Sequence, residues 1–162
     1  MLAMAESWFL KIDGIAGESM QVKHKGEIDV DSWTWGVSNS GSTSPGGGGG
    51  AGKASFQDFH FVTKLSKATP ALFLACASGS HIKEAYLTGV RAGKAGADFL
   101  KFKLGDVLVS SVQLGDTEGI APAEQFSLKF SKVEISYFPQ LPDGSKGPAV
   151  KAGWDLKVNK KL

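Results

Sequence analysis

Apolar residues in this chain recur at every second position, and in two places the recurrence changes parity. Alternation bounded by glycine, proline or aspartate is the pattern of half-buried antiparallel strands, because successive side chains of a strand point to opposite faces. Trp8, Leu10 and Ile12 share one face of a first strand, and Phe59, Phe61 and Leu65 share one in the segment that starts near Phe56. Towards the end, Ala152, Trp154, Leu156 and Val158 point one way and Lys151, Asp155, Lys157 and Asn159 the other. The parity changes fall between Ile28–Val30 and Trp33, Trp35 and Val37, and again between Phe126, Leu128, Phe130 and Val133, Ile135, Tyr137. A flat strand cannot change parity and keep its apolar set on one face. A bulge or a strong bend at each point carries the strand from one packed layer to another, as at the corners of a barrel or closed sandwich. The expected fold is therefore mainly β, a closed or nearly closed antiparallel β-barrel or sandwich.

One helix interrupts the strands. Thr69 supplies an N-cap, Pro70 a first helical position, Leu72, Phe73 and Cys76 an apolar stripe, and Gly79 a C-terminal stop. The helix is short and is expected to plug an open edge or end of the barrel. Cys76, on the stripe, reads as a small buried hydrophobe rather than a reactive thiol. As the one cysteine it has no disulfide partner, so packing alone holds the fold, in keeping with assembly in a reducing cytoplasm. Residues 98–114 are strand-like on both sides of Gly105-Asp106, a pair that makes either a two-residue hairpin turn or a bend. A chain of 162 residues, 42% hydrophobic, buries one sizeable core and is short for two, so residues 4–162 read as a single domain. Met4 reads as a second start, leaving residues 1–3 as an extension with no structural role.

Residues 38–55, SNSGSTSPGGGGGAGKAS, contain nothing that forms a core, and are expected to be a long exposed glycine-rich loop between two strands. An arm of this length in a compact domain is usually functional. Within it Gly47, Gly52 and Lys53 match the spacing of a phosphate-binding loop. The next residue is Ala54 where such a loop places a magnesium-binding hydroxyl, and the following FQDFHFV alternates as a strand where a helix is needed. A glycine arm is the better reading. His24, His60 and His81 share no metal-ligand spacing, no G-x-S-x-G elbow is present, and nothing nominates a nucleophile, so no catalytic, cofactor or metal residue is assigned. With 21% charged residues and a net charge of +2, no field of one sign draws nucleic acid or an anionic membrane. No segment reaches the roughly eighteen continuous apolar residues of a membrane span, and residues 1–10 hold Glu6 and no signal-peptide run, so if the chain leaves the cell it is expected to do so without the usual export signals. Trp33 and Trp35 read as core, which forces Ser32 and Thr34 onto the opposite face. That small polar face suits a wet cavity or a subunit interface.

Several segments together resemble a known family. They are Trp8-Phe9-Leu10-Lys11-Ile12, Gly17-Glu18-Ser19, Ile28-Asp29-Val30 leading into Trp33-Thr34-Trp35-Gly36, the glycine arm into Gly52-Lys53, Thr69-Pro70 through Ala75-Cys76-Ala77-Ser78-Gly79, Val107-Leu108-Val109-Ser110-Ser111-Val112, and Gly153-Trp154-Asp155. The chain is similar, over nearly its whole length from Met4, to the hemolysin-coregulated proteins that build the tube of type VI secretion machines. The resemblance implies a β-barrel with a side helix, like phage tail-tube proteins, that forms a homo-hexameric ring. Rings would stack into a hollow tube driven out by a contractile sheath, with sheath, spike and effector proteins as partners and effectors held in the lumen. It also implies no enzyme activity and no cofactor. On this reading Ser32 and Thr34 are lumen and effector contacts. The arm, represented by Ser38, Pro45, Gly46, Gly47, Gly48, Gly49, Gly50 and Lys53, meets a neighbouring subunit or the next ring. Because the chain ends at Leu162, soon after its last strand, no fused effector domain is expected, and the resemblance favours a bent continuous strand at Gly105-Asp106. Two other classes of function compete with it: a small-molecule-binding β-barrel with its ligand near Trp33, Trp35 and Trp154, and a nucleotide-dependent enzyme using Lys53. Size separates them, since only the tube reading requires a ring of about six subunits.

Overall fold

The computed structural model describes residues 6–41, 53–93 and 97–162. The chain runs β1 (Ser7–Ile12), a 3-10 turn (Val22–His24), β2 (Ile28–Val30), β3 (Ser32–Thr34), β4 (Val37–Asn39), β5 (Ala54–Phe56), β6 (Phe59–Lys64) and α1 (Ala68–Ser78). It continues with β7 (His81–Val90), β8 (Asp98–Thr117), β9 (Ile120–Lys129), β10 (Lys132–Tyr137), β11 (Val150–Asp155) and β12 (Lys160–Lys161). The fold is mainly β with one α-helix, and the paired strands are antiparallel.

The long strand β8 organises the sheet. β7 pairs along one side of it, from His81 opposite Leu108 to Val90 opposite Asp98. The other side is shared: β10 occupies it up to Gly105, and β9 takes over from Leu108. The pair Gly105-Asp106 is thus a bend inside one continuous strand and not a hairpin turn, with Asp106 at a φ of 54°.

Both parity changes mark strands that change partners. At the first, β2 pairs with β1 while β3 pairs with β6, and the Asp31 N–H donates to the Val62 carbonyl at 2.9 Å. The segment spanning β2 and β3 therefore touches both ends of the path β2-β1-β7-β8-β9-β6-β3, and the sheet curls round nearly to closure. The closure is a chain crossing and not a full ladder, so the barrel is not fully closed. At the second, the Ser131 N–H donates to the Gly105 carbonyl at 3.0 Å, and the chain passes from the β9 side of the fork to the β10 side.

The inward face follows the alternation. Leu10, Phe59, Phe61, Ala85, Leu87, Leu104, Phe126 and Leu128 are fully shielded from solvent. Phe59 lies at the centre of an aromatic cluster, stacked on Trp35 with centroids 4.9 Å apart and edge-on to Phe102 at 5.1 Å and Phe130 at 5.8 Å. Two strand-end expectations fail. Leu65 lies just past the end of β6 and is exposed, Thr63 taking the inward place. β11 ends at Asp155, and a turn through residues 156–159, with Asn159 at a φ of 57°, puts Val158 in solvent.

The helix begins and packs differently from its sequence pattern. Lys67 occupies the N-cap and makes no side-chain cap. Thr69 lies inside the first turn, where its hydroxyl accepts from the Ser66 N–H at 3.1 Å and donates to Glu124 at 2.6 Å. Pro70 is the third helical residue and not the first, a place where its missing N–H still costs no intrahelical bond. Gly79 ends the helix in the left-handed conformation, φ 63°, as expected. The inward stripe is Ala68, Leu72 and Ala75, with Cys76 half-buried, and α1 packs against β8. Phe73 is 61% exposed, because adjacent helical residues diverge by about 100° and Leu72 already points inward.

Candidate functional site

The Trp33-Thr34-Trp35 pleat sets the position of the outer wall. Trp33 packs inward, edge-on to Trp8 at 5.0 Å and Phe102 at 5.2 Å, and Trp35 stacks on Phe59, so Ser32 and Thr34 face outward and are exposed. The register then extends that face across three further strands. One row runs Thr34, His60, Ser127, Ser111, and the next Ser32, Val62, Gln125, Gln113. The His60 Nε2 meets the Gln125 Oε1 at 3.3 Å, and the hydroxyls of Ser111 and Ser127 bond to each other. The wall is rich in hydroxyls and amides and holds no lysine or carboxylate in its two central rows. Charge lies only at its margins, where Asp58 accepts from the Ser110 hydroxyl at 2.7 Å and Lys64 pairs with Asp31 at 3.2 Å.

The two ends of the predicted arm are paired. Ser38 lies in β4 opposite Ser55 in β5, and Val37 opposite Phe56, so a short two-stranded ribbon forms where an open loop was expected. Lys53 immediately precedes that ribbon. Pro45, Gly46, Gly47, Gly48, Gly49, Gly50 and Gly52 lie outside the described residues. Beside the ribbon, Trp35, Phe56, Val133, Ile135 and Trp154 line an open apolar groove of about 450 Å³. Trp33, the third aromatic expected around a ligand, packs against the core and does not line this groove.

Other polar constellations depend on partners far apart in sequence. His24 is buried, stacked on Phe9 with centroids 4.7 Å apart, and its ring nitrogens lie 3.0 Å from Glu27 and 3.1 Å from Asp98. Asp106, at the β8 bend, accepts from Lys157 at 2.7 Å, Ser131 at 2.9 Å and His81 at 3.1 Å. These hydrogen bonds hold its carboxyl well below the usual carboxylate range. Both clusters tie loops to the sheet. Among the described residues no group of three or more histidine, cysteine, aspartate and glutamate side chains is arranged to hold a metal ion, and no helix is long and apolar enough to cross a membrane. Sequence spacing did not reveal either cluster, since Asp98 lies 74 residues from His24 and Asp106 25 from His81.

A nearly closed antiparallel sheet with a helix packed on its longest strand and a broad polar outer wall defines the class: a mainly β, barrel-like protein. The particular family follows from comparison. Residues 9–137 match the family described as type VI secretion system effector, Hcp. The chain is 48% identical over 159 residues to protein hcp1 of Pseudomonas aeruginosa, covering 96% of this chain and 98% of that protein. Among solved structures, Hcp1 from Salmonella typhimurium superposes with a TM-score of 0.82 at 38% identity, covering 98% of this chain and all of that one. A type six secretion system protein superposes with a TM-score of 0.91 at 30% identity and the same coverage. A type VI secretion system effector from Yersinia pestis is 32% identical with a TM-score of 0.73, over 91% of this chain and 98% of that one. The chain belongs to the Hcp family of type VI secretion tube proteins.

Proposed function

We propose that this protein is a ring-forming protomer of the secretion tube. About six copies associate head to tail, the rings stack, and the wall carried by Thr34, His60, Ser127 and Ser111 lines the bore. The observation that carries the reading is that wall, in a chain of this family. A bore through which proteins pass must be wet and must not adhere strongly, and a face of hydroxyls and amides with charges only at its margins meets both needs. A ring requires two different complementary surfaces on each protomer whose rotation closes. The protein acts as a structural part and not as an enzyme, it assembles inside the cell and leaves with the tube, and its partners are sheath, spike and effector proteins. The arm of residues 38–55 makes contacts beyond the protomer. That assignment rests on sequence, because glycine-rich chain gains order only from a partner surface that repays its conformational entropy.

Thr34→Glu tests the bore. It places a charge at the β3 end of the polar wall, beside His60, without touching the aromatic face behind it. Rings should form as before, while retention of a co-expressed effector changes at least about threefold, roughly 0.7 kcal/mol. Rings that fail to form, or retention that is unaltered, would mean that the wall faces elsewhere.

A further inference from the structure

We propose that Glu124 is a proton-operated latch on α1: the helix is held against the sheet while this carboxyl is protonated, and its first turn loosens when the carboxyl ionises. The inference concerns the protomer alone and does not depend on ring formation. Glu124 shares the inward parity of Phe126 and Leu128 on β9 and is 1% exposed. Register sets it between Thr63 of β6, itself buried, and Leu114 of β8, and the first turn of α1 closes over it. Its Oε2 accepts from the Thr69 hydroxyl, and its Oε1 is buried with no hydrogen-bond partner among the described residues. A carboxylate has room for about four hydrogen bonds, so an ionised Glu124 would be left largely unmet in this setting.

Among the described residues no charged group offsets that burial. The residues facing Glu124 from β6, β8 and α1 are Thr63, Leu114 and Thr69, none of which carries charge. Lys64, Lys67 and Asp116 on the flanking segments are exposed, as is Glu18. Lys64 is paired with Asp31, and Glu18 accepts from the Lys67 backbone N–H. Burial accordingly raises the carboxyl above its ordinary 4.5, opposed by the hydrogen bond from Thr69. The linkage follows from that direction. The docked helix is fully stabilised below the ordinary value, and that stabilisation is lost as pH rises through the raised one, because only the loosened state ionises freely. The path to the helix is short. The Thr69 hydroxyl that donates to Glu124 also accepts from the Ser66 N–H, so the same oxygen fixes the chain entering α1. The helix carries Phe73 and Leu74 outward, both more than half exposed, and its loosening would shift that apolar surface.

The test is amide hydrogen exchange along α1 in the full-length protein between about pH 5 and about pH 8, with intrinsic chemical rates removed. Opening of the first-turn amides should increase at least about threefold across that range in the wild type and stay constant in Glu124→Gln, which keeps the shape and loses the titration. Equal pH dependence in both proteins would overturn the latch. Should the variant not fold, the wild type decides: first-turn exchange that rises with the carbon-13 titration midpoint of the Glu124 carboxyl supports the latch, and exchange that does not follow that titration overturns it.

Discussion

Replacing Phe59 by alanine removes the ring on which the aromatic cluster is built. Phe59 is fully shielded and its centroid lies 4.9 to 6.2 Å from the rings of Trp35, Phe102, Phe130, Phe61 and Trp33. Large-to-small changes of a buried phenylalanine cost about 3–5 kcal/mol, with the higher figure where the surroundings cannot collapse into the space. Here they are pinned, because the neighbouring rings come from β3, β6, β8 and the segments that flank β3 and β9 and are packed on other residues as well. We therefore expect a loss of about 4–5 kcal/mol. At about 2–4 °C per kcal/mol for a chain of this size, the midpoint of thermal unfolding falls by roughly 8–20 °C. Phe59→Leu keeps most of the volume and should cost about 1.5 kcal/mol or less. Urea titrations at one fixed protein concentration, so that any oligomer contributes equally, measure both. An alanine variant within about 1 kcal/mol of wild type would refute the claim that this cluster anchors the sheet.

Two further outcomes are expected. Gly17→Ala would place a Cβ 2.4 Å from the Glu27 carbonyl oxygen and 2.6 Å from the Ile28 Cα, so backbone must separate. The hydrogen bond from the Gly17 N–H to the Gly26 carbonyl, 2.8 Å, should break at a cost of about 1–3 kcal/mol by urea titration, with faster amide exchange over residues 17–27. Replacing residues 40–53 by a minimal turn leaves β4 and β5 free to pair and removes no buried side chain described here, so the melting midpoint should be nearly unchanged. The same variant should stack poorly and be depleted from culture supernatant, and normal tubes would reduce the arm to a linker.

What could be read from the residues was whatever a pleat fixes locally. Parity located the chain crossing at Asp31 and the fork near Ser131, and it set Trp33 inward and Thr34 outward, because each depends only on alternation. The rest of the wall, His60, Gln125, Ser127 and Ser111, required register, which alternation leaves undetermined. The helix start was misplaced for a related reason: Thr69 has the residue type of a cap, but Glu124, distant in sequence, draws its hydroxyl to another use. Phe73 is as apolar a candidate for the inner stripe as Leu72, and only the orientation of α1 on β8 separates them. At strand ends, where the pleat stops, Leu65 and Val158 escaped the pattern. Asp106 was missed because its three partners come from β7, the β9–β10 corner and the turn after β11, which only the folded chain brings together.

The central claim is that the protomer closes into a ring, and the mass of the assembled protein in solution tests it most directly. Light scattering across a concentration series should report about six times the 17.0 kDa chain, with six-fold rings in end-on images of the same sample. A monomer or dimer that persists to the highest concentration would contradict the account.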